Sequence, residues 1–276
     1  MMLINKSKNI LFLSSLFLYF ITVSCNDNEI KLLKDTEKII TEKLCYLKTA
    51  DHGRGILYNF TYDSKNLPTN IDGFPDFDKL IYENGLPKKA INSYDKSYTI
   101  EYSYDGNSIL NQINFVGIDS RNKPYEFKSK VYSNTKKQID RIDLILPVFD
   151  QAIITKLEYD ANSNIKKIII VENGVSKTIL ENLSFDNKKS PYLNTPIGNA
   201  MLYFTVFSAI IGSENITYFS NKNNVTSAKV YNDSGQITYT YKNEYNSDDF
   251  LSKTKITKTV KGKDEIYQEN FTYDCK

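Results

Sequence analysis

The chain has 276 residues, 41% hydrophobic and 25% charged, which is enough apolar material for a core and too much for a disordered tail or a disulfide miniprotein. Its 35 Lys and Arg stand against 33 Asp and Glu, and Lys6 and Lys8 face no acid within the first 24 positions, so the remainder balances at 33 against 33. That neutrality excludes the basic face with which nucleic-acid binders displace phosphate counterions. With one His, three Cys and no Trp, metal ligands and general bases are scarce, and neither a metal nor a cofactor is expected.

Residues 1–24 place Lys6 and Lys8 before an uncharged apolar run from Ile10 to Val23, then small Ser24 and Cys25. This is the plan of a secretory signal, its apolar stretch too short for a comfortable spanning helix. The segment Ile21-Thr22-Val23-Ser24-Cys25 resembles a bacterial lipobox. The resemblance implies cleavage before Cys25, diacylation of its sulfur and attachment to the outer membrane through lipid, without a spanning helix. The acidic sequel Asn26-Asp27-Asn28-Glu29 resembles the tag that follows the cysteine in many surface-exposed lipoproteins of the Bacteroidetes. An uncleaved anchor, or an ordinary signal with an incidental cysteine, is the alternative.

Residues 25–43 read as a tether, in which Leu32, Leu33, Ile39 and Ile40 fall near helical spacing. From residue 44 to 276 the pattern has period two, and a single domain is expected. Tyr98-Thr-Ile-Glu-Tyr-Ser-Tyr104 and Ile237-Thr-Tyr-Thr-Tyr-Lys242 alternate apolar with polar residues, as half-buried strands do. Asn173-Gly174 between two β-branched runs predicts a tight hairpin.

A degenerate repeat runs through this region: an apolar residue, a spacer, Tyr or Phe, then Asp or Asn, a polar turn and two more apolar residues. The clearest copies are Phe60-Thr-Tyr62-Asp63, Tyr102-Ser-Tyr104-Asp105 and Leu157-Glu-Tyr159-Asp160. Weaker ones are Leu183-Ser-Phe185-Asp186, Ile216-Thr-Tyr218, Glu244-Tyr245-Asn246 and Phe271-Thr-Tyr273-Asp274. Each aromatic is expected to end a strand facing the core, with the Asp or Asn accepting turn N–H groups before the chain returns.

These units resemble the tyrosine-aspartate repeats of Rhs-type shells. With the lipobox start, the Phe185-to-Tyr192 segment, the apolar stretch after it and the Phe271-to-Cys275 ending, the arrangement more closely resembles the Bacteroidetes lipoprotein family grouped as DUF4595. The resemblance implies a porin-like fold and an envelope location, and it carries no activity.

Residues 197–211 break the strand pattern, being apolar nearly all round between Pro196 and Gly212. They predict a buried helix plugging the concave face of the sheet. Lys253, Lys255, Lys258 and Lys261 populate both faces of a late strand, which a lipid-facing strand cannot carry cheaply. The expected fold is therefore all-β: an antiparallel hairpin meander forming a strongly curled sheet or water-soluble barrel around one internal helix.

Candidate chemistry is sparse. His52, in Asp51-His-Gly-Arg-Gly55, is expected to be a solvated turn residue without a second His to share a metal. Asp76-Phe-Asp78 and Asn246-Ser-Asp248-Asp249 offer oxygen clusters, but neither has a calcium-loop register, so solvated turns are expected. Cys45 and Cys275 fall in the first and last strands, where two readings stand open: a disulfide, if the sheet closes, or two separate thiols. The 21 Tyr and 15 Phe invite a carbohydrate platform, although most occupy inward positions of the repeat. Sequon-like triplets at Asn59, Asn215, Asn224 and Asn270 read as accidents of Asn-rich strands.

The function expected is that of a membrane-anchored envelope lipoprotein acting as a non-catalytic binding or structural module, with a glycan or envelope protein as partner and no nucleic acid. The alternative is a polysaccharide hydrolase with acidic catalysts, for which a cleft holding two carboxylates about 5–10 Å apart would be the signature.

Overall fold

Alternating apolar and polar residues with β-branched and aromatic side chains favour strands that bury one face, and tight turns between them favour pairing with the next strand. The computed structural model describes residues 44–94, 98–118, 121–145, 153–172, 174–212, 214–233 and 235–276. The signal segment, Cys25 and the tether lie outside the described residues.

Eight strands make the first half: β1 (Cys45–Asp51), β2 (Leu57–Tyr62), β3 (Pro68–Asp72), β4 (Lys79–Glu83), β5 (Leu86–Ile91), β6 (Tyr98–Tyr104), β7 (Leu110–Ile118) and β8 (Pro124–Ser133). The second half holds β9 (Ile139–Ile145), β10 (Ile153–Tyr159), β11 (Ile165–Glu172), β12 (Val175–Lys189), β13 (Asn223–Asn232), β14 (Gly235–Tyr245), β15 (Leu251–Val260) and β16 (Lys263–Cys275). Helix α1 (Gly198–Ile210) and a short 3-10 turn (Thr217–Phe219) are inserted between β12 and β13. Each strand pairs antiparallel with its neighbours in sequence, and β1 closes on β16 to complete a barrel.

The turns explain the repeat. Asp63, Asp105, Asn134, Asp160 and Asn246 each follow an even-numbered strand, and one side-chain oxygen of each accepts the N–H groups two and four residues on, at 2.8 to 3.1 Å. In each loop the residue three on, from Asn66 to Asp249, sits at φ between 60 and 70°. This is the geometry of a type I turn followed by a left-handed bulge residue, which fits the twist of the hairpin. Strand direction alternates, so all five turns lie at the same end of the barrel.

The tyrosine near the end of a strand has its own task. The hydroxyls of Tyr62, Tyr82, Tyr104, Tyr159 and Tyr273 donate to the carbonyls of Leu47, Pro68, Pro87, Ile139 and Leu251 at 2.6 to 2.9 Å. Each acceptor belongs to the strand preceding that of the tyrosine. Phenylalanine would fill the space without satisfying the carbonyl. Burial pushes the Tyr62 and Tyr104 hydroxyls up to about 12, so they stay protonated donors.

Three of the weaker repeat copies are not hairpins, and one of them, Phe271 to Asp274, lies wholly within β16, where Asp274 pairs with Tyr46. Asp186 lies inside β12, where its carboxylate accepts N–H groups of Lys188 and Asn224 and binds the Tyr245 hydroxyl of β14, the next strand but one. With those partners it ties strands together, and the chain runs on into the barrel instead of turning back. Tyr218 belongs to the 3-10 turn and is packed against Tyr192 and Phe219.

Helix α1 fills the lumen. Ala200, Met201, Leu202, Tyr203, Phe204, Thr205, Val206 and Ala209 are buried, the Tyr102 hydroxyl donates to the Ala200 carbonyl, and Phe204 meets Phe74 and Phe77 edge-on or tilted. A sixteen-stranded barrel is wide enough for a channel, and here the plug and the inward rings occupy it. The outer face carries cross-strand ion pairs such as Lys89–Glu101, Lys167–Glu181 and Lys253–Glu244. Charges so placed interrupt any apolar band that lipid would require.

Cys45 and Cys275 are partners in the register of the closing seam, their Cα atoms 3.9 Å apart and their sulfurs bonded. Between β3 and β4 the ladder thins to one registered pair, Asn70 with Lys79. There residues 73–78 dip inward, burying Phe74 and Phe77. Gly73 starts the dip at φ 89°, and a Cβ at that position would overlap the Leu57 carbonyl oxygen.

Candidate functional site

His52 is not a solvated turn residue: it is 4% exposed and points into the barrel. The pairing of β1 with β16 shifts between Leu47 and Thr49, so the inward positions change from Cys45 and Leu47 to Ala50 and His52. A bulge of one residue reverses the face of everything beyond it. Strict alternation from Cys45 would have sent His52 outward.

Inside, His52 Nδ1 donates to Glu269 Oε1 at 3.0 Å, and Nε2 shares a hydrogen bond of 2.9 Å with the Tyr192 hydroxyl. Tyr218 stacks on the imidazole at 5.2 Å and Phe271 meets it edge-on at 5.8 Å. Burial holds the Tyr192 and Tyr218 hydroxyls well above the usual phenol range, so Tyr192 is a neutral hydroxyl here. The line of carboxylate, imidazole and hydroxyl has the composition of a proton relay. The cavity beside Glu269 has a volume of about 30 Å³, room for a water and not for a substrate. The group therefore ties the segment entering the plug to β1 and β16.

Two larger chambers flank the plug. The first, about 750 Å³, opens at the end carrying the Asp and Asn turns. The loops after β4, β6, β8 and β10 wall it, and the start of α1 forms part of its floor through Gly198, Asn199 and Leu202. Lys136, Lys137 and Lys222 line it, and no carboxylate does so among the described residues. Ile197 at the helix cap offers no side-chain hydrogen bond and the first turn holds no acid, so the positive end of the helix, where Gly198 and Asn199 line the chamber, has no side-chain cap. The rest of the lining is rich in amides and hydroxyls, including Asn107, Ser108, Gln138, Ser163 and Asn221.

The second chamber, about 490 Å³, lies where α1 ends, lined by Phe207, Ser208 and Ile211 of that end. Its walls are aromatic: Phe127 stacks on Phe115 at 4.6 Å and 13°, and Tyr125 stacks on Phe127 at 5.8 Å and 9°. Tyr58, Phe74, Tyr98 and Tyr203 also line it, and Asp76 supplies its one carboxylate among the described residues.

The residues singled out from sequence are scattered. Asp76 lines the aromatic chamber, while Asp78 is buried and accepts the Ser93 N–H at 2.6 Å together with the Ser93 hydroxyl, so the pair is no solvated turn. The Asn246 to Asp249 segment is a turn, its Asn246 side chain occupied by the N–H groups of Asp248 and Phe250. Asp248 stands beside Cys45 and Cys275, whose sulfurs are taken up by their mutual bond. Neither chamber was visible in the sequence. Lys136 and Lys137 are adjacent in a turn, but the cavity they face exists only once four separate loops meet around the helix start.

No family model matches the sequence, and no curated protein is similar to it. Among solved structures, a porin-like protein from Bacteroides vulgatus superposes with a TM-score of 0.52 at 10% identity, covering 84% of this chain and 99% of that one. A porin-like protein from Bacteroides uniformis gives a TM-score of 0.42 at 10% identity over 84% of this chain and 97% of the other. At this identity the likeness to the Bacteroides vulgatus protein is one of fold, that of a porin-like barrel.

Proposed function

We propose that this chain is a non-catalytic binding protein of the bacterial envelope, held to the outer membrane by lipid on Cys25, whose turn-end chamber takes an acidic glycan. The observation that carries the binding site is the chamber's lining: three lysines and an uncapped helix N-terminus, with amides and hydroxyls between them and no carboxylate among the described residues. Ammonium groups and free backbone N–H groups stabilise carboxylate or sulfate substituents, and amide and hydroxyl side chains match sugar hydroxyls. A hydrolase would need two carboxylates flanking a sugar bond, and neither chamber offers a pair among its described lining residues. The lipobox-like segment before Cys25 and the resemblance to Bacteroidetes lipoproteins support the location.

The binding reading is tested by screening residues 26–276 on a glycan array of acidic and neutral oligosaccharides, with the Lys136→Gln/Lys137→Gln variant alongside. Selective retention of uronate-bearing or sulfated glycans, weakened about tenfold or more in the variant and by added salt, is the expected result. Equal retention of neutral sugars, or an unchanged variant, refutes it. Palmitate labelling of wild type and Cys25→Ala tests the anchor, and equal labelling of both refutes that part.

A further inference from the structure

The aromatic chamber at the far end of α1 has a chemistry unlike that of the lysine-lined mouth. Its described lining contains Asp76 and no Lys or Arg, so its charge is of one sign. The Tyr98 hydroxyl donates to the Asp76 carbonyl at 2.7 Å and also meets its carboxylate, which fixes the residue at the chamber wall. Burial first, and the nearby Asp76 charge second, raise the Tyr58 and Tyr203 hydroxyls and keep them protonated. Around it the rings of Phe115, Tyr125 and Phe127 form a near-parallel stack, and Tyr203 leans on Phe115 at 4.3 Å.

We propose that this chamber binds an organic cation of the quaternary ammonium type, seated among its aromatic rings with the Asp76 carboxylate as its counter-charge. Ring quadrupoles attract a cation whose charge is spread over methyl groups, and the attraction grows where water is excluded. A carboxylate with no cation among the described lining residues supplies the remaining attraction, and such a ligand places no demand for the many hydrogen bonds a sugar needs. Burial raises the Asp76 carboxyl above its ordinary range, and the Tyr98 hydroxyl partly offsets it. The inference is independent of the acidic-glycan reading, because the two chambers lie at opposite ends of the plug and carry opposite charge.

The test titrates residues 26–276 with choline chloride and with 3,3-dimethyl-1-butanol, its uncharged isostere, following saturation-transfer NMR at constant ionic strength. Choline is expected to bind about tenfold or more tightly than the alcohol. Asp76→Asn should bring choline down to the affinity of the alcohol while leaving the alcohol unchanged, and Phe127→Ala should weaken both. The Lys136→Gln/Lys137→Gln variant should bind choline as wild type does, which separates failure of this proposal from failure of the glycan reading. Near-UV circular dichroism of each variant checks that the barrel is intact, and choline competition by sodium chloride should be weak. Equal affinity of choline and the alcohol, no saturation transfer from choline at millimolar concentration, or an Asp76→Asn protein that binds choline undiminished overturns the proposal.

Discussion

Reducing the bond between Cys45 and Cys275 is the sharpest perturbation of this fold, because it joins residues 230 apart in sequence across the closing seam. A cross-link over a loop that long removes about 5 kcal/mol of chain entropy from the denatured state in the loop-closure treatment, and measured bridges commonly deliver about 2–4 kcal/mol. The seam itself survives reduction, since β1 and β16 keep six registered pairs. The loss should therefore appear as stability and leave the fold unchanged. For a chain of this size each kcal/mol moves the melting midpoint by about 2–4 °C, so a fall of roughly 5–15 °C is expected. The assay is thermal unfolding of residues 26–276 by circular dichroism with and without a phosphine reductant, paired with thiol counting in denaturant. Reduction changes no side-chain volume, so it isolates the cross-link from the cavity that Cys45→Ala would add at a site 1% exposed. Two reactive thiols in the unreduced protein, or a midpoint that moves by less than about 2 °C, would refute the reasoning.

Replacing His52 with Ala leaves the Glu269 carboxylate and the Tyr192 hydroxyl buried without their partner. A loss of about 3–5 kcal/mol is expected in urea unfolding, and His52→Phe combined with Glu269→Leu should cost less than His52→Ala alone. Tyr159→Phe keeps the ring and removes the donor to the Ile139 carbonyl, for a loss of about 1–2 kcal/mol by the same measurement. Asp76 gives a pH signature: its folded carboxyl is raised by burial, so the folded state binds the proton more strongly than the unfolded one. Its contribution is most favourable below the unfolded carboxyl range and is lost as pH rises through the raised value. Asp76→Asn should therefore raise the melting midpoint near neutral pH, with the gain vanishing in acid, and a gain that persists or grows in acid would contradict this sign.

Much of the fold was legible because it rests on local rules. The Tyr-Asp pairs marked hairpin ends, since an Asp oxygen reaches the N–H groups two and four residues on whatever the remainder of the chain does. The apolar run at residues 197–211 marked the plug, since no other place in a strand meander buries a helix apolar on every side. His52 was not legible, because a one-residue bulge at Lys48 decides which face it takes, and nothing local distinguishes a bulged strand from a regular one. Phe185-Asp186 misled for a related reason: the pattern is that of a turn, but Asn224 and Tyr245, distant in sequence, capture the carboxylate first.

The sequence by itself determined the strand pattern, the turns that join neighbours and the charge balance of the whole chain, because these depend on residues a few positions apart. Closure of β1 on β16, the meeting of Cys45 with Cys275, the burial of His52 against Glu269 and the opposite charge of two chambers in a neutral protein were decided only in three dimensions. Each depends on side chains far apart in sequence, and on the barrel's curvature to bring them within reach of one another.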